Sequence, residues 1–406
     1  MSMLRAVVIF VLAPGHLIAQ VPERLPDDPL FSNQIASYAD SGTYAALRRS
    51  TRAGVDTFRV ARGVTPDLPE AWAISTGSAR VVVAVLDDGF FYNHEDIAGN
   101  VWHNPGETGV DRAGLRKETN GVDDDGNGYV DDVIGWDFAF DDPDPDPYVF
   151  DGMDRERIRP YWHSISALGI IGAEGDNGIG VAGVNWHVSL MLLKIGAQGR
   201  RMGADDSVRV RRAAKAIRYA VDNGAKVINW SGFVHVADTA ELTPLRDAVS
   251  YAARRGVLLV TGAGNDGRDL DDDANCLYPQ CFDGENQIRV AQVAFDGTLY
   301  RYTVGGERRG SNYGVRRVEV GAIGEQFTTG LLNGSSTYET SNGTSSAGPV
   351  VAGIAALVLA VRPELSAVQL KDILMRSATR LPALRGKLGS GGVVNAYRAL
   401  RLAEHH

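Results

Sequence analysis

The chain has 406 residues, 44% of them hydrophobic and 22% charged. That balance suits an ordinary soluble globular protein with a sizeable core, long enough for one large α/β domain or two small ones. Lys and Arg number 41 against 50 Asp and Glu, a net charge of −9 that argues against a nucleic-acid partner.

At the N-terminus, Met1 to Arg5 carries a positive charge, Ala6 to Ala13 is apolar and Leu17-Ile18-Ala19 offers a small-residue cleavage site. This is the layout of a secretory signal peptide over 1–19 and points to a secreted protein, extracellular or periplasmic; a disordered or buried N-terminus is the alternative. The apolar run is too short to span a bilayer, and no later stretch is expected to span one.

Past residue 75, apolar runs alternate with amphipathic segments. Arg80 to Leu86 reads as a strand buried on both faces, and Val188 to Ile195 as a second. Asp206 to Asn223 sets Val210, Ala213, Ala214, Ile217 and Val221 at helical spacing, and Gly224 stops it. Lys226 to Asn229 returns as a strand. Thr243 caps the next helix, with Pro244 in its first turn and Gly256 after its end. Val257 to Val260 and Ile288 to Ala294 are further strands. Near the C-terminus Ser366 and Gln369 form a capping box ahead of Leu370, Ile373 and Leu374. Strand and helix alternate, which predicts right-handed crossovers in a doubly wound, mostly parallel α/β sheet with helices on both faces. A single domain over 27–403 is expected, with 27–75 as an N-terminal extension and 76–403 as the core. Cys276 and Cys281 read as a local disulfide or as two free thiols; their spacing makes a poor zinc site.

Functional groups in such sheets collect at the carboxyl ends of strands. Three segments fit: Val83 to Gly89 with Asp87 after a buried strand, Val257 to Asn265 with an amide in a glycine turn, and Asn342 to Pro349 with Ser345 opening an apolar helix. Singly, each has a plain explanation as a turn former or helix cap. In this order, with His94 and Asp96 after the first segment, SNYG at 311–314 and the ending GGVVNAYRAL, they resemble the subtilase family of serine peptidases. The resemblance runs from Asp27-Asp28-Pro29-Leu30-Phe31 to Tyr397. It implies a subtilisin-like fold in which Ser345 attacks a peptide carbonyl, Asn265 and the Ser345 N–H hold the oxyanion, and Asp87 orients a histidine.

The family's histidine lies in a His-Gly-Thr-His-Val-Ala-Gly segment, matched here by His163 to Gly169. Anchored on Ile170 to Ala173 and Asn177 to Gly183, the match assigns the base position to Ser166 and gives His163 the motif's first histidine, read as non-catalytic. A hydroxyl accepts protons poorly near neutral pH, so the expected outcome is a binding-only pseudoprotease; a weakly active serine endopeptidase is the alternative. Ser231, Phe233 and Gly264 fall at the substrate-binding positions, and Phe233 stands where the family has glycine, so it is expected to crowd the pocket. Gly321-Ala322-Ile323-Gly324 also departs from the family's usual Ala-Ala-Pro-Gly. A peptide or protein is the expected substrate or ligand, the chain a monomer without an organic cofactor.

Asp123, Asp125, Asn127 and Asp131 stand at positions one, three, five and nine of an EF-hand-type loop, with Gly128 at six and the Tyr129 carbonyl at seven. Position twelve, normally glutamate, is Ile134. The run fits a Ca²⁺ loop or a solvated acidic loop. Asp141 to Pro147 and Asp269 to Asp273 read as polar loops.

Overall fold

In a strand buried on both faces, successive side chains enter two different cores. The computed structural model, which describes residues 21–38, 47–51, 54–58, 60–147, 162–196, 206–236, 238–332 and 334–406, shows this in β1 (Gly77–Asp87). Val83 and Val85 point into one cluster, Ala84 and Leu86 into the other. The expected signal peptide lies outside the described residues.

The other strands of the central sheet are β2 (Gly135–Asp137), β3 (His187–Lys194), β4 (Val227–Trp230), β5 (Leu258–Gly262), β6 (Gln287–Val293) and β7 (Val320–Ile323). After a hairpin of β8 (Gln326–Leu332) and β9 (Ser335–Ser341) come the short β10 (Thr379–Arg380) and β11 (Gly392–Val393). The order across the sheet is β10-β11-β7-β6-β5-β4-β1-β3-β2. Every pairing in it is parallel except β10 with β11. The doubly wound sheet expected from the sequence is present.

Helices cover both faces. On one side lie α1 (Trp162–Gly172), α4 (Thr344–Val361), α5 (Ala367–Ser377) and α6 (Ala396–Ala403), packed on Val83, Val85, Leu190 and Val260. On the other lie α2 (Asp206–Asp222) and α3 (Thr243–Arg254), packed on Ala84, Leu86, Met191 and Ile228. Thr243 is the first helical residue of α3 and not its cap; its hydroxyl donates to the Ala240 carbonyl at 2.8 Å. Among the described residues α4 alone is long and apolar enough to cross a membrane, and most of it is buried inside the protein.

The segment before β1 is bound to the core. Gln34 Nε2 donates to the Ala182 carbonyl at 2.8 Å, and Trp72 Nε1 to Val184 at 2.9 Å. Asn395 Nδ2 donates to Asp67 at 2.6 Å, joining the cap of α6 to the segment before β1. Cys276 and Cys281 form a disulfide.

The capping box at α5 is present, Ser366 accepting from the Gln369 N–H and Gln369 from the Ser366 N–H. Ser366→Ala is therefore expected to lower stability by about 1 kcal/mol in urea denaturation.

Candidate active site

β1 delivers Asp87 to the carboxyl edge of the sheet at 5% exposure. One carboxylate oxygen accepts the Asp88 N–H at 2.8 Å. The other lies 2.7 Å from Nδ1 of His163, in the first turn of α1. An ionised carboxylate only accepts, so this bond places the proton on Nδ1 and leaves Nε2 as the basic nitrogen.

The side chain that meets Asp87 is thus that of His163, where the sequence reading places Ser166. Ser166 is buried. Its hydroxyl donates to the His163 carbonyl at 2.9 Å and accepts from Ser341 at 3.2 Å. Ser341 in turn bonds Ser346 at 2.7 Å. Three residues along a helix is almost a full turn, so 163 and 166 share a side but differ by about 4.5 Å in height. Only the upper residue, at the helix mouth, meets the strand end. Ser166 is a strut: through Ser341 it ties the first turn of α1 to that of α4.

Burial works against the charged form of His163. The Asp87 carboxylate outweighs it through charge and hydrogen bond, Asp88 adds to this, Arg209 opposes it, and the net effect is a raised pKa. This pairing stabilises the fold fully below the histidine's unfolded value, and the gain is lost as pH rises through the folded one.

Ser345 is the second residue of α4, after Gly343 at φ 127°, a backbone few other residues adopt. Its hydroxyl donates to the Ser231 carbonyl at 3.3 Å, and the Ser231 hydroxyl donates back to the Ser345 carbonyl at 2.9 Å. Asn265 Oδ1 accepts the Thr344 N–H at 3.0 Å, which turns its Nδ2 away. Among the described residues the Ser345 N–H has no partner. Asn265 Nδ2 and the Ser345 nitrogen border one point, a Cβ built on Gly343 lying 3.8 and 3.7 Å from them, at the positive end of an 18-residue helix. Gly264, at φ 99°, sits in the turn before Asn265; a Cβ there would meet Asn312 Nδ2 at 2.6 Å. The structure so gathers Asp87, His163, Ser231, Gly264, Asn265 and Ser345 at one edge of the sheet.

Phe233 follows Gly232 in the segment after β4. It is 37% exposed and packs edge-on against His235, with ring centroids 5.3 Å apart, so its ring lies at the surface.

These features can be set beside known proteins. The family profile described as "Subtilase family" matches residues 78–398. The chain belongs to the subtilase family. The subtilase chain is 31% identical over 369 residues to "Subtilisin-like protease 1" of Plasmodium vivax, covering 87% of itself and 51% of that protein. It is 28% identical to "Thermitase" of Thermoactinomyces vulgaris, covering 82% of itself and 92% of that protein. It superposes on a solved protease structure from Pseudoalteromonas arctica with a TM-score of 0.64 at 24% identity, covering 93% and 99% of the two chains. The chain spans about half the length of the Plasmodium relatives it matches.

The acidic loop departs from the expected ligand set. Asp123 and Asp125 come together with Glu107, their carboxylate oxygens within 4.8 Å of one another. Asp131 faces away, both oxygens accepting the Gly121 N–H at 3.1 and 3.2 Å. Asn127 Oδ1 accepts the Tyr129 N–H at 2.8 Å, and the Tyr129 ring packs with Trp136, Phe138 and Tyr219. Glu107 lies well ahead of the loop in sequence, so the twelve-residue pattern gave no reason to include it.

In nuclear magnetic resonance titration, His163 is expected to titrate above the ordinary midpoint of about 6.5. Asp87→Asn should lower it, and an unchanged midpoint would remove Asp87 as the cause.

Proposed function

We propose that this subtilase is a secreted, catalytically competent serine endopeptidase, acting as a monomer on peptide or protein substrates. The observation that carries this reading is the 2.7 Å contact between His163 Nδ1 and Asp87 Oδ2. It supplies the base whose expected loss pointed to a binding-only pseudoprotease.

The mechanism follows from the residues. Nε2 of His163 takes the Ser345 hydroxyl proton as the oxygen attacks the substrate carbonyl. The carbonyl π pair moves onto oxygen, where Asn265 Nδ2 and the Ser345 N–H receive it. Asp87 holds the ring's orientation and favours the imidazolium, as the raised pKa reflects. The imidazolium then gives its proton to the leaving amine as the C–N bond breaks. Water, deprotonated by the same nitrogen, releases the acyl group from Ser345. Secretion is supported by the Cys276–Cys281 disulfide, a bond suited to oxidising compartments, together with the signal-like first residues.

Calcium is the cofactor that the acidic loop fits. Glu107 is fully buried, one oxygen accepting the Asp124 and Asp125 N–H groups and the other, Oε2, lacking a hydrogen-bond partner among the described residues. A buried carboxylate oxygen left unpaired costs free energy that a hard cation offsets. Glu107, Asp123 and Asp125 would hold the ion, whose contribution there is to order the loop.

Cleavage of an unfolded protein is expected for wild type, with activity rising as pH passes upward through the His163 midpoint. His163→Ala and Ser345→Ala should each lose several orders of magnitude, about 10⁶ in subtilisin itself. Ser166→Ala should change turnover less than about tenfold, since it removes a strut worth about 1 kcal/mol. Activity surviving in His163→Ala would defeat the assignment.

Calorimetry with Ca²⁺ should give a heat with wild type that is lost in Glu107→Gln. Equal heats from both would place the ion elsewhere.

A further inference from the structure

Arg209 lies in the first turn of α2, between two parts of the cleft. On one side is Asp88, directly after Asp87, with Oδ1 3.7 Å from Arg209 Nη2. On the other is Gly232, directly after Ser231, where a Cβ would lie 3.4 Å from the same nitrogen. The guanidinium thus lies between Asp88, the chain neighbour of the residue that meets His163, and Gly232, the chain neighbour of Ser231. The start of α2 is fixed against this backbone, since Asp206 accepts the His235 N–H at 2.6 Å.

The arginine is incompletely satisfied. Among the described residues its buried Nε has no hydrogen-bond partner, and its one ion pair, with Asp88, is longer than a hydrogen bond. The side chain is still 38% exposed, so a ligand can reach it. A guanidinium presents five donors in a planar fork that matches a carboxylate. Nε itself is buried, so it is the exposed part of the Arg209 fork that an acceptor can meet from the solvent side.

If the endopeptidase reading holds, the acyl half of the substrate runs along the Ser231–Gly232 backbone, with Ser345 at the scissile bond. In an extended peptide alternate side chains face opposite ways, so those turned toward α2 pass over Arg209. We propose that Arg209 is a specificity-determining residue that selects an acidic side chain on the acyl side of the scissile bond, two to four residues before it. The acidic group completes a charge-assisted contact that Asp88, held back at 3.7 Å, leaves open. Uncharged isosteres of that group leave the guanidinium as it is in the free protein.

Internally quenched nonapeptide pools, with Glu or Gln fixed at one position in turn, test this in two ways. The first is kcat/KM with wild type, and the second is binding of the same pools to Ser345→Ala, where no cleavage intervenes. At one of the three positions Glu should be favoured over Gln by about fivefold or more in both, the scale of a charge-assisted contact at a half-exposed site. Arg209→Gln should bring that ratio to about one. Equal binding of Glu and Gln pools by Ser345→Ala overturns the proposal whatever the activity. A ratio that persists in Arg209→Gln, or a loss shared equally by both pools, also overturns it, because Arg209 would then act only as a counter-ion to Asp88. Selective binding without cleavage by wild type would instead sink the endopeptidase reading and leave Arg209 as the selector of a bound acidic peptide.

Discussion

The hydrogen bond between Asp87 and His163 is the constraint on which the site depends, and it needs two elements to be held independently. Asp87 ends a strand paired on both sides, with β3 and with β4, so its position is fixed by the centre of the sheet. His163 opens α1, whose seat is fixed by close packing: a Cβ at Gly169 would fall 2.1 Å from the Thr329 hydroxyl of β8. A buried carboxylate without partners is costly, and here the Asp88 N–H and the imidazole both meet it. The stabilisation of Asp87 and the orientation of His163 are therefore one interaction.

The same logic explains why α1 and α4 must be joined. Asp87 fixes the imidazole to the sheet, but Ser345 belongs to another helix. The chain Ser166–Ser341–Ser346 connects the two helix mouths through hydroxyls alone, with both outer residues inside the first turn or so of their helices. Three small hydroxyl side chains allow a separation too close for longer residues. A histidine at 166 would occupy the position of this link and lie about 4.5 Å further along α1 than His163.

Much of the fold was legible because it is written in local patterns. Val83 to Leu86 is apolar at every position, which only a strand with two covered faces explains, and α2 and α5 carry their apolar stripes and stop signals plainly. Asp87, Asn265 and Ser345 were legible for the same reason, each sitting at a strand end or helix start that the pattern locates. The base was not. His163 and Ser166 differ by less than one helical turn, and the choice between them rests on which lies at the mouth of α1, a tertiary fact. Glu107 escaped likewise, since it joins Asp123 and Asp125 across a fold of the chain and not through their spacing. For Phe233 the sequence offered a pocket position but not its ring partner, His235 two residues on.

Charge around the imidazole is arranged in layers. Lys194 is the register partner of Asp87 in β3, yet its ammonium is paired with buried Asp137 at 2.7 Å. That pairing leaves the outer oxygen of Asp87 to His163 and keeps a full positive charge from quenching it. Asp88 adds a second carboxylate, raised in pKa by its burial and by Asp87, and drawn back by Arg209, His163 and Lys194. Asp87 is thus left to His163, and Asp88 is met by Arg209 at 3.7 Å, which does not fully cancel it. The carboxylates of Asp87 and Asp88 together favour the imidazolium form of His163 against its burial.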